Sequence, residues 1–215
     1  MTRGMIVTAP SQAGLFCGKY NDMERLHVLY LGLPDCPLVA WLREREACVT
    51  QTMERLDLAT VQRLGADFLV SYRYRHILRP DILACFPDRA VNLHMSLLPW
   101  NRGADPNLWS FIEGTPKGVT VHYIDEGIDT GDIIAQREVT FDDPQATLAT
   151  TYAQLDETLQ TLFRETWDAI RSGDCPRRPQ PAGGSMHRLR DRDRVAHLLQ
   201  QGWDTRVADL ARRGG

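Results

Sequence analysis

The sequence predicts an α/β domain built on an open, mostly parallel sheet with helices on both faces. Three observations carry this. Apolar runs of strand length alternate with amphipathic runs of helical length through the first two-thirds of the chain. Residues that end or cap such runs, among them Gly32, Asp35, Asp105 and Gly114, stand at the junctions. The 215 residues are 43% hydrophobic and 25% charged, which is enough apolar material for one large core.

Taken in order, residues 26–31 (LHVLYL) form an apolar run ending at Gly32, as a buried strand does. Asp35 can cap a helix from Pro37 to about Arg45, with Leu38, Trp41 and Leu42 on one face. A short strand at 47–52 and a helix at 56–64 follow. Further strands are expected at 68–72 (FLVSY) and 89–94 (RAVNLH), and Pro80 can open a short helix between them. Asp105 and Pro106 read as a cap and first helical residue, with Gly114 as the stop. Residues 119–124 alternate in character and have two distinct faces, and 133–141 is a further strand candidate. Asp143 and Pro144 open a long helix with Leu148, Tyr152, Leu155, Leu159, Leu162, Phe163 and Ile170 at helical spacing. Residues 172–185 hold Gly, Pro and Arg in place of periodicity and read as a linker or surface loop. The tail from Met186 reads as a short surface helix. The expected division is a domain at 1–171, in which Met5–Ala9 is an additional strand or, alternatively, 1–25 is an N-terminal extension, then a linker and helical tail at 172–215.

Bulk properties exclude several classes. A net charge of −3 gives no general attraction to nucleic acid or anionic membrane. No apolar run reaches bilayer length, and MTRGMIVTAPSQAG lacks the apolar centre of a signal peptide. Five scattered cysteines without a CxxC point away from zinc or a disulfide framework and toward a reducing cytoplasm. Neither a glycine-rich phosphate loop nor a metal-ligand cluster is evident, so no metal is expected.

Residues 91–134 carry the chemistry. Asn92 and His94 are two apart at the end of a strand, so their side chains share a face. Asp129 follows in a turn between Gly127 and Gly131, where a parallel neighbour could bring it alongside. On residue types alone, Asn92 and His94 equally suit satisfied polar groups at a strand end, with Asp129 a plain turn-former. His122 lies on the strand leading into the Asp129 loop and fits either a site wall or a structural role.

In wider context the stretch resembles the 10-formyltetrahydrofolate-dependent formyltransferases. The matching residues are Asn92-Leu93-His94, Ser96-Leu97-Leu98-Pro99, Arg102-Gly103 with Pro106, Gly118-Val119-Thr120 and Gly127-Ile128-Asp129-Thr130-Gly131. The resemblance implies a Rossmann-like formyltransferase fold and makes Asn92, His94 and Asp129 the catalytic triad. An amine would attack the formyl carbon; Asn92 and protonated His94 would donate to the oxyanion, such donors being worth about 3–4 kcal/mol each in a dry site. Asp129 would orient the imidazole, raise its pKa and accept the amine proton. The co-substrate implied is 10-formyltetrahydrofolate, held by His76, Ile77, Leu78 and Leu83 on one side and Asp125, Glu126 and Gly127 on the other. Tyr72, Arg73, Ser96 and Arg102 are the acceptor-side candidates, while Trp100 is given no role.

Members of this family differ in acceptor. The acidic balance argues against tRNA, and the purine-pathway enzymes typically lack the Arg-Gly loop. A small-molecule amine remains, best matched by a nucleotide-linked amino sugar; residues 183–188 (GGSMHR) resemble a segment of those enzymes. An amino acid or peptide-derived amine, or hydrolysis of the formyl-folate, are the alternatives. The apolar stripe of the long helix suits packing on its own sheet, with a homodimer as the alternative.

Overall fold

The computed structural model describes residues 25–211, so the expectations for the first 24 residues lie outside it. Four strands are parallel: β1 (His27–Leu31), β2 (Cys48–Thr52), β3 (Phe68–Tyr72) and β4 (Ala90–His94). β5 (Arg102–Gly103) stands apart, and β6 (Gly118–Tyr123) and β7 (Ile133–Glu138) complete the sheet in antiparallel pairings. The order is β2-β1-β3-β4-β6-β7, while β5 pairs with β8 (Met186–His187) in a separate two-stranded piece. This is the open, mostly parallel α/β sheet that the alternating pattern predicts.

Both faces are covered because the central strands β1 and β3 are apolar on both. On one face, Val28, Tyr30, Phe68, Val70, Val91, Leu93, Val119 and Val121 pack against Leu38 and Leu42 of α1 (Pro37–Arg45) and Leu155, Leu159, Phe163 and Trp167 of the long C-terminal helix. On the other, Leu29, Leu31 and Leu69 meet Val61 of α2 (Leu58–Leu64) and Ile82 of α3 (Pro80–Leu83). Each such enclosed side chain contributes roughly 1.5–3 kcal/mol. A third cluster joins Leu108 and Phe111 of α4 (Pro106–Ile112), Leu148 of α5 (Leu148–Ser172) and Leu210 of α6 (Val207–Ala211), with Leu198 of the tail.

The helix ends depart from expectation in instructive ways. α1 starts after Cys36 rather than Asp35, with Pro37 fixing the first turn and no side-chain cap. Asp57 does cap α2, accepting from Thr60 N at 2.8 Å. Asp105 precedes α4 but has φ 52 and makes no cap bond; its carboxylate lies 3.6 Å from Arg192 instead. α5 opens at Thr147, not Asp143, through a reciprocal box with Thr150. Asp143 closes a separate turn, accepting from Gln145 N at 2.8 Å. The tail 3-10 helix Leu189–Leu198 buries Leu198 alone, because its alternating Arg and Asp offer no apolar stripe. Among the described residues, no helix is long and apolar enough to cross a membrane.

Candidate active site

Asn92 and His94 project from one face of β4, while Val91 and Leu93 enter the core on the other. The antiparallel register sets His122 of β6 directly opposite Asn92, so three polar side chains gather on that face. Asp129 reaches them from the 124–132 loop, which folds back after antiparallel β6; the expected parallel neighbour is not what delivers it. Its backbone has φ 53, a left-handed conformation that Asp tolerates better than most residues. Gly131 makes the turn possible, since a Cβ there would stand 2.0 Å from the Tyr123 carbonyl oxygen. Asp125 braces the loop, accepting from Gly127 N at 3.1 Å and Thr130 Oγ1 at 2.7 Å.

Every contact of the Asp129 carboxylate is with a donor or an imidazole. Oδ1 accepts from Asn92 Nδ2 at 3.0 Å and lies 3.4 Å from His122 Nε2. Oδ2 accepts from Gly103 N at 2.8 Å and lies 3.4 Å from His94 Nδ1. The tautomers follow from chemistry, because a carbonyl can only accept. His122 Nδ1 is 2.7 Å from the Tyr123 carbonyl and therefore carries a proton, leaving Nε2 to accept from Asn92 Nδ2 at 3.2 Å. His94 Nε2 is 2.9 Å from the Asn101 carbonyl and carries a proton there, so its Nδ1 lone pair faces Asp129.

Electrostatics sharpen this. Burial lowers the His94 pKa and outweighs Asp129, which pulls it up. That corrects the expectation of a raised imidazole: full enclosure makes desolvation of the cation the larger effect. For Asp129 the balance is reversed. Burial raises its pKa, but His94, His122 and the Gly103 N–H together hold it well below the usual carboxylate range. Near neutral pH the resting cluster is an ionised Asp129 beside a neutral His94, with a vacant proton position between Nδ1 and Oδ2.

The cluster lies in a cleft of about 910 Å³. His76, Ile77, Leu78, Asp125, Gly127 and Ile128 line it on one side. Tyr72, Arg73, Asp105, Asn107, Tyr152, Leu189 and Trp203 also line it. Of the sequence candidates, Leu83 instead packs on the second core cluster and Glu126 is exposed away from the lining. Ser96 is buried, donating to the Trp100 carbonyl. Arg102 turns its guanidinium to Gln180 Oε1, at 3.0 Å from Nε and 2.7 Å from Nη2. Arg73 is fixed by Asp156, which also accepts from Tyr72, and stands 4.9 and 5.0 Å from the Tyr72 and Tyr152 ring centres.

The sequence leaves His122 open between a site wall and a structural role, and assigns no site role to Gly103, Tyr152, Gln180 or Trp203. The alternation of 119–124 was a usable signal for His122, had the strand been taken as antiparallel to β4. Gly103 stands in the matching Arg102-Gly103 pair and Tyr152 on the stripe of the long helix, but no pattern marks Gln180 or Trp203.

Residues 40–166 match the formyl transferase family. The chain is 38% identical over 186 residues to methionyl-tRNA formyltransferase of Anaeromyxobacter dehalogenans, covering 80% of this chain and 56% of that protein. It thus spans about half the length of that relative. It is 49% identical to the formyltransferase PseJ from Anoxybacillus kamchatkensis, with a TM-score of 0.82, covering 88% of this chain and 100% of that one. That crystal structure holds UDP-4,6-dideoxy-4-formamido-L-AltNAc and tetrahydrofolate. A 4-N formyltransferase from Francisella tularensis shares the fold, with a TM-score of 0.72 at 20% identity over 88% of this chain and 87% of that one.

Proposed function

The chain belongs to the formyl transferase family, and from that premise we propose that it transfers a formyl group from 10-formyltetrahydrofolate to a primary amine on a nucleotide-linked sugar. One observation carries the choice of acceptor. At 49% identity the chain matches the whole length of PseJ, whose structure contains a UDP-linked formamido sugar. The net charge of −3 adds that no excess of basic residues favours a polyanion such as tRNA.

The cleft suits two ligands meeting at Asp129. Ile77 and Ile128, 67% and 36% exposed, both line the cleft. With Leu78 they give this part of the cleft an apolar lining suited to a flat ring, with Asp125 and Gly127 also in the lining. Leu189 and Trp203, 64% and 43% exposed, give the acceptor side a similar apolar surface near Arg73 and Tyr152.

The folate supplies the formyl carbon as electrophile, and the protein's part is to manage protons and charge around it. As the amine forms its C–N bond to the formyl carbon it must lose a proton, and as the bond from that carbon to folate N10 breaks the leaving nitrogen must gain one. The position between His94 Nδ1 and Asp129 Oδ2 can take the amine proton, converting the pair to an imidazolium–carboxylate, and then return it to the leaving N10. Once charged, His94 can steady negative charge nearby. Asn92 is the neutral side-chain donor of the cluster. Both its amide hydrogens are engaged at rest, so serving a substrate oxygen means releasing His122 Nε2 or Asp129 Oδ1.

The test is incubation with 10-formyltetrahydrofolate and a panel of UDP- and dTDP-linked amino sugars, amino acids and short peptides, read by mass spectrometry. Gain of one formyl group on an amino sugar is the expected result. Formylation of amino acids or peptides alone would overturn the acceptor class, and formate release without an acceptor would mark a hydrolase.

A further inference from the structure

We infer that residues 178–188, beyond the long helix, are a working part of the active site, and that Gln180 is the positioning residue through which they hold Asp129. The inference rests on the role proposed above for Asp129. It concerns a segment whose Gly-, Pro- and Arg-rich composition reads as a mere linker.

Gln180 is fully engaged. Its Nε2 donates to the Asp129 carbonyl at 2.8 Å and the Gly131 carbonyl at 2.9 Å, while its Oε1 accepts from Arg102 Nε and Nη2 at 3.0 and 2.7 Å. Two donors and two acceptor positions exhaust a primary amide. The bonds fall on the carbonyls on either side of Thr130 and so fix the turn in which Asp129 takes its left-handed backbone. The position of Gln180 is itself set by a two-way backbone pairing of Arg178 with Ile133, at 2.8 and 3.0 Å.

The same segment holds the side chain of Asp129 from the opposite direction. Arg102 N donates to the Ser185 carbonyl and Ala104 N to the His187 carbonyl, each at 2.9 Å. Gly103, caught between them at φ 85, donates its N–H to Asp129 Oδ2 at 2.8 Å. Any Cβ at Gly103 would stand 2.2 Å from the His187 carbonyl oxygen. β8 is anchored in turn, since His187 stacks on Trp109 with ring centres 3.9 Å apart and its Nε2 lies 2.9 Å from Glu113 Oε1. Main chain and carboxylate of Asp129 are therefore both referenced to the 178–188 segment. Neither Gln180 nor Arg102 lines the cleft, so their influence passes through Asp129.

Two variants separate positioning from simple packing. Gln180→Met keeps length without bonds, and Gln180→Glu keeps the Arg102 contact but turns the two donors into acceptors facing two carbonyls. Both should lower kcat by about 10²-fold, the order expected for an ångström-scale misplacement, with little change in KM for either substrate. The substrate-free readout is an NMR pH titration of the Asp129 carboxyl carbon, whose neighbours are His94, His122, Asn92 and the Gly103 N–H. In both variants the carboxyl should titrate closer to an ordinary aspartate than in the parent protein. An unchanged Asp129 titration in a folded variant, or a kcat within twofold of the parent, overturns the inference. If Gln180→Met fails to fold, Gln180→Glu carries the same test. A shifted titration in a protein that formylates no amine would uphold the positioning role while sinking the proposed reaction.

Discussion

Two carboxylates, Glu46 and Asp129, are each held by several donors yet sit in contrasting surroundings. Glu46, at the end of α1, has a fully enclosed side chain and accepts from Leu26 N at 2.9 Å and Trp167 Nε1 at 2.8 Å, with Arg171 3.4 Å away. Asp129 is 14% exposed, lines the cleft and sits on a left-handed backbone. Both are satisfied by several donors, so burial and hydrogen bonding do not tell them apart. The partners do: Glu46 meets an indole, a guanidinium and a main-chain N–H, none of which changes protonation near neutral pH. Asp129 instead faces imidazole nitrogens, His94 Nδ1 and His122 Nε2, each able to accept as well as donate. A carboxylate that shares a proton position with an imidazole and faces an open cleft is equipped for chemistry, whereas one tied to permanent donors is equipped to hold a helix to a sheet.

The largest effect that separates the two is on rate. Asp129→Asn removes the proton acceptor and should lower kcat by about 10³–10⁴-fold, at the upper end for acid–base groups, with a melting shift of only a few degrees. Next in size, Glu46→Gln should cost about 1–3 kcal/mol of unfolding free energy by leaving one donor unmatched, while formyl transfer stays within twofold. Chemical denaturation and steady-state kinetics on both variants would break the comparison if the effects were exchanged.

Acid sensitivity is expected from the cleft side. The His94 pKa is depressed by burial, so below the ordinary histidine value of 6.5 the unfolded chain binds a proton that the folded site resists. The Asp129 pKa is also depressed in the folded state, so its contribution is present above the ordinary aspartate value of 3.8 and is lost as pH falls further. Both signs agree: stability should rise with pH up to about 6.5. His94→Gln should flatten the upper part of that curve, as thermal melts across pH would reveal. The smallest effect is expected at Trp203. Trp203→Ala should raise KM for the acceptor about 5–10-fold, in line with the loss of one aromatic contact, and leave kcat and the KM for the folate within twofold.

The fold was legible where periodicity decides structure. FLVSY coincides with β3 to the residue, and the stripe from Leu148 to Ile170 lies within α5. Helix starts were less legible because Asp35, Asp105 and Asp143 all look like caps, and a cap is defined by backbone dihedrals that composition does not encode. Asn92, His94 and Asp129 stood out through their motifs. His122 did not, because its place opposite Asn92 depends on β6 running antiparallel. Gln180 was illegible for a deeper reason: its partners are backbone carbonyls of Asp129 and Gly131, which no residue type advertises.

The most direct test of the account is a single-turnover reaction with 10-formyltetrahydrofolate and a UDP-linked 4-amino sugar, run on the parent protein and on Asp129→Asn. The account predicts a formamido sugar from the parent, and a variant that still binds tetrahydrofolate but transfers almost nothing. Transfer by Asp129→Asn at the parent's rate would contradict it, as would a parent that turns formyl-folate over only to free formate.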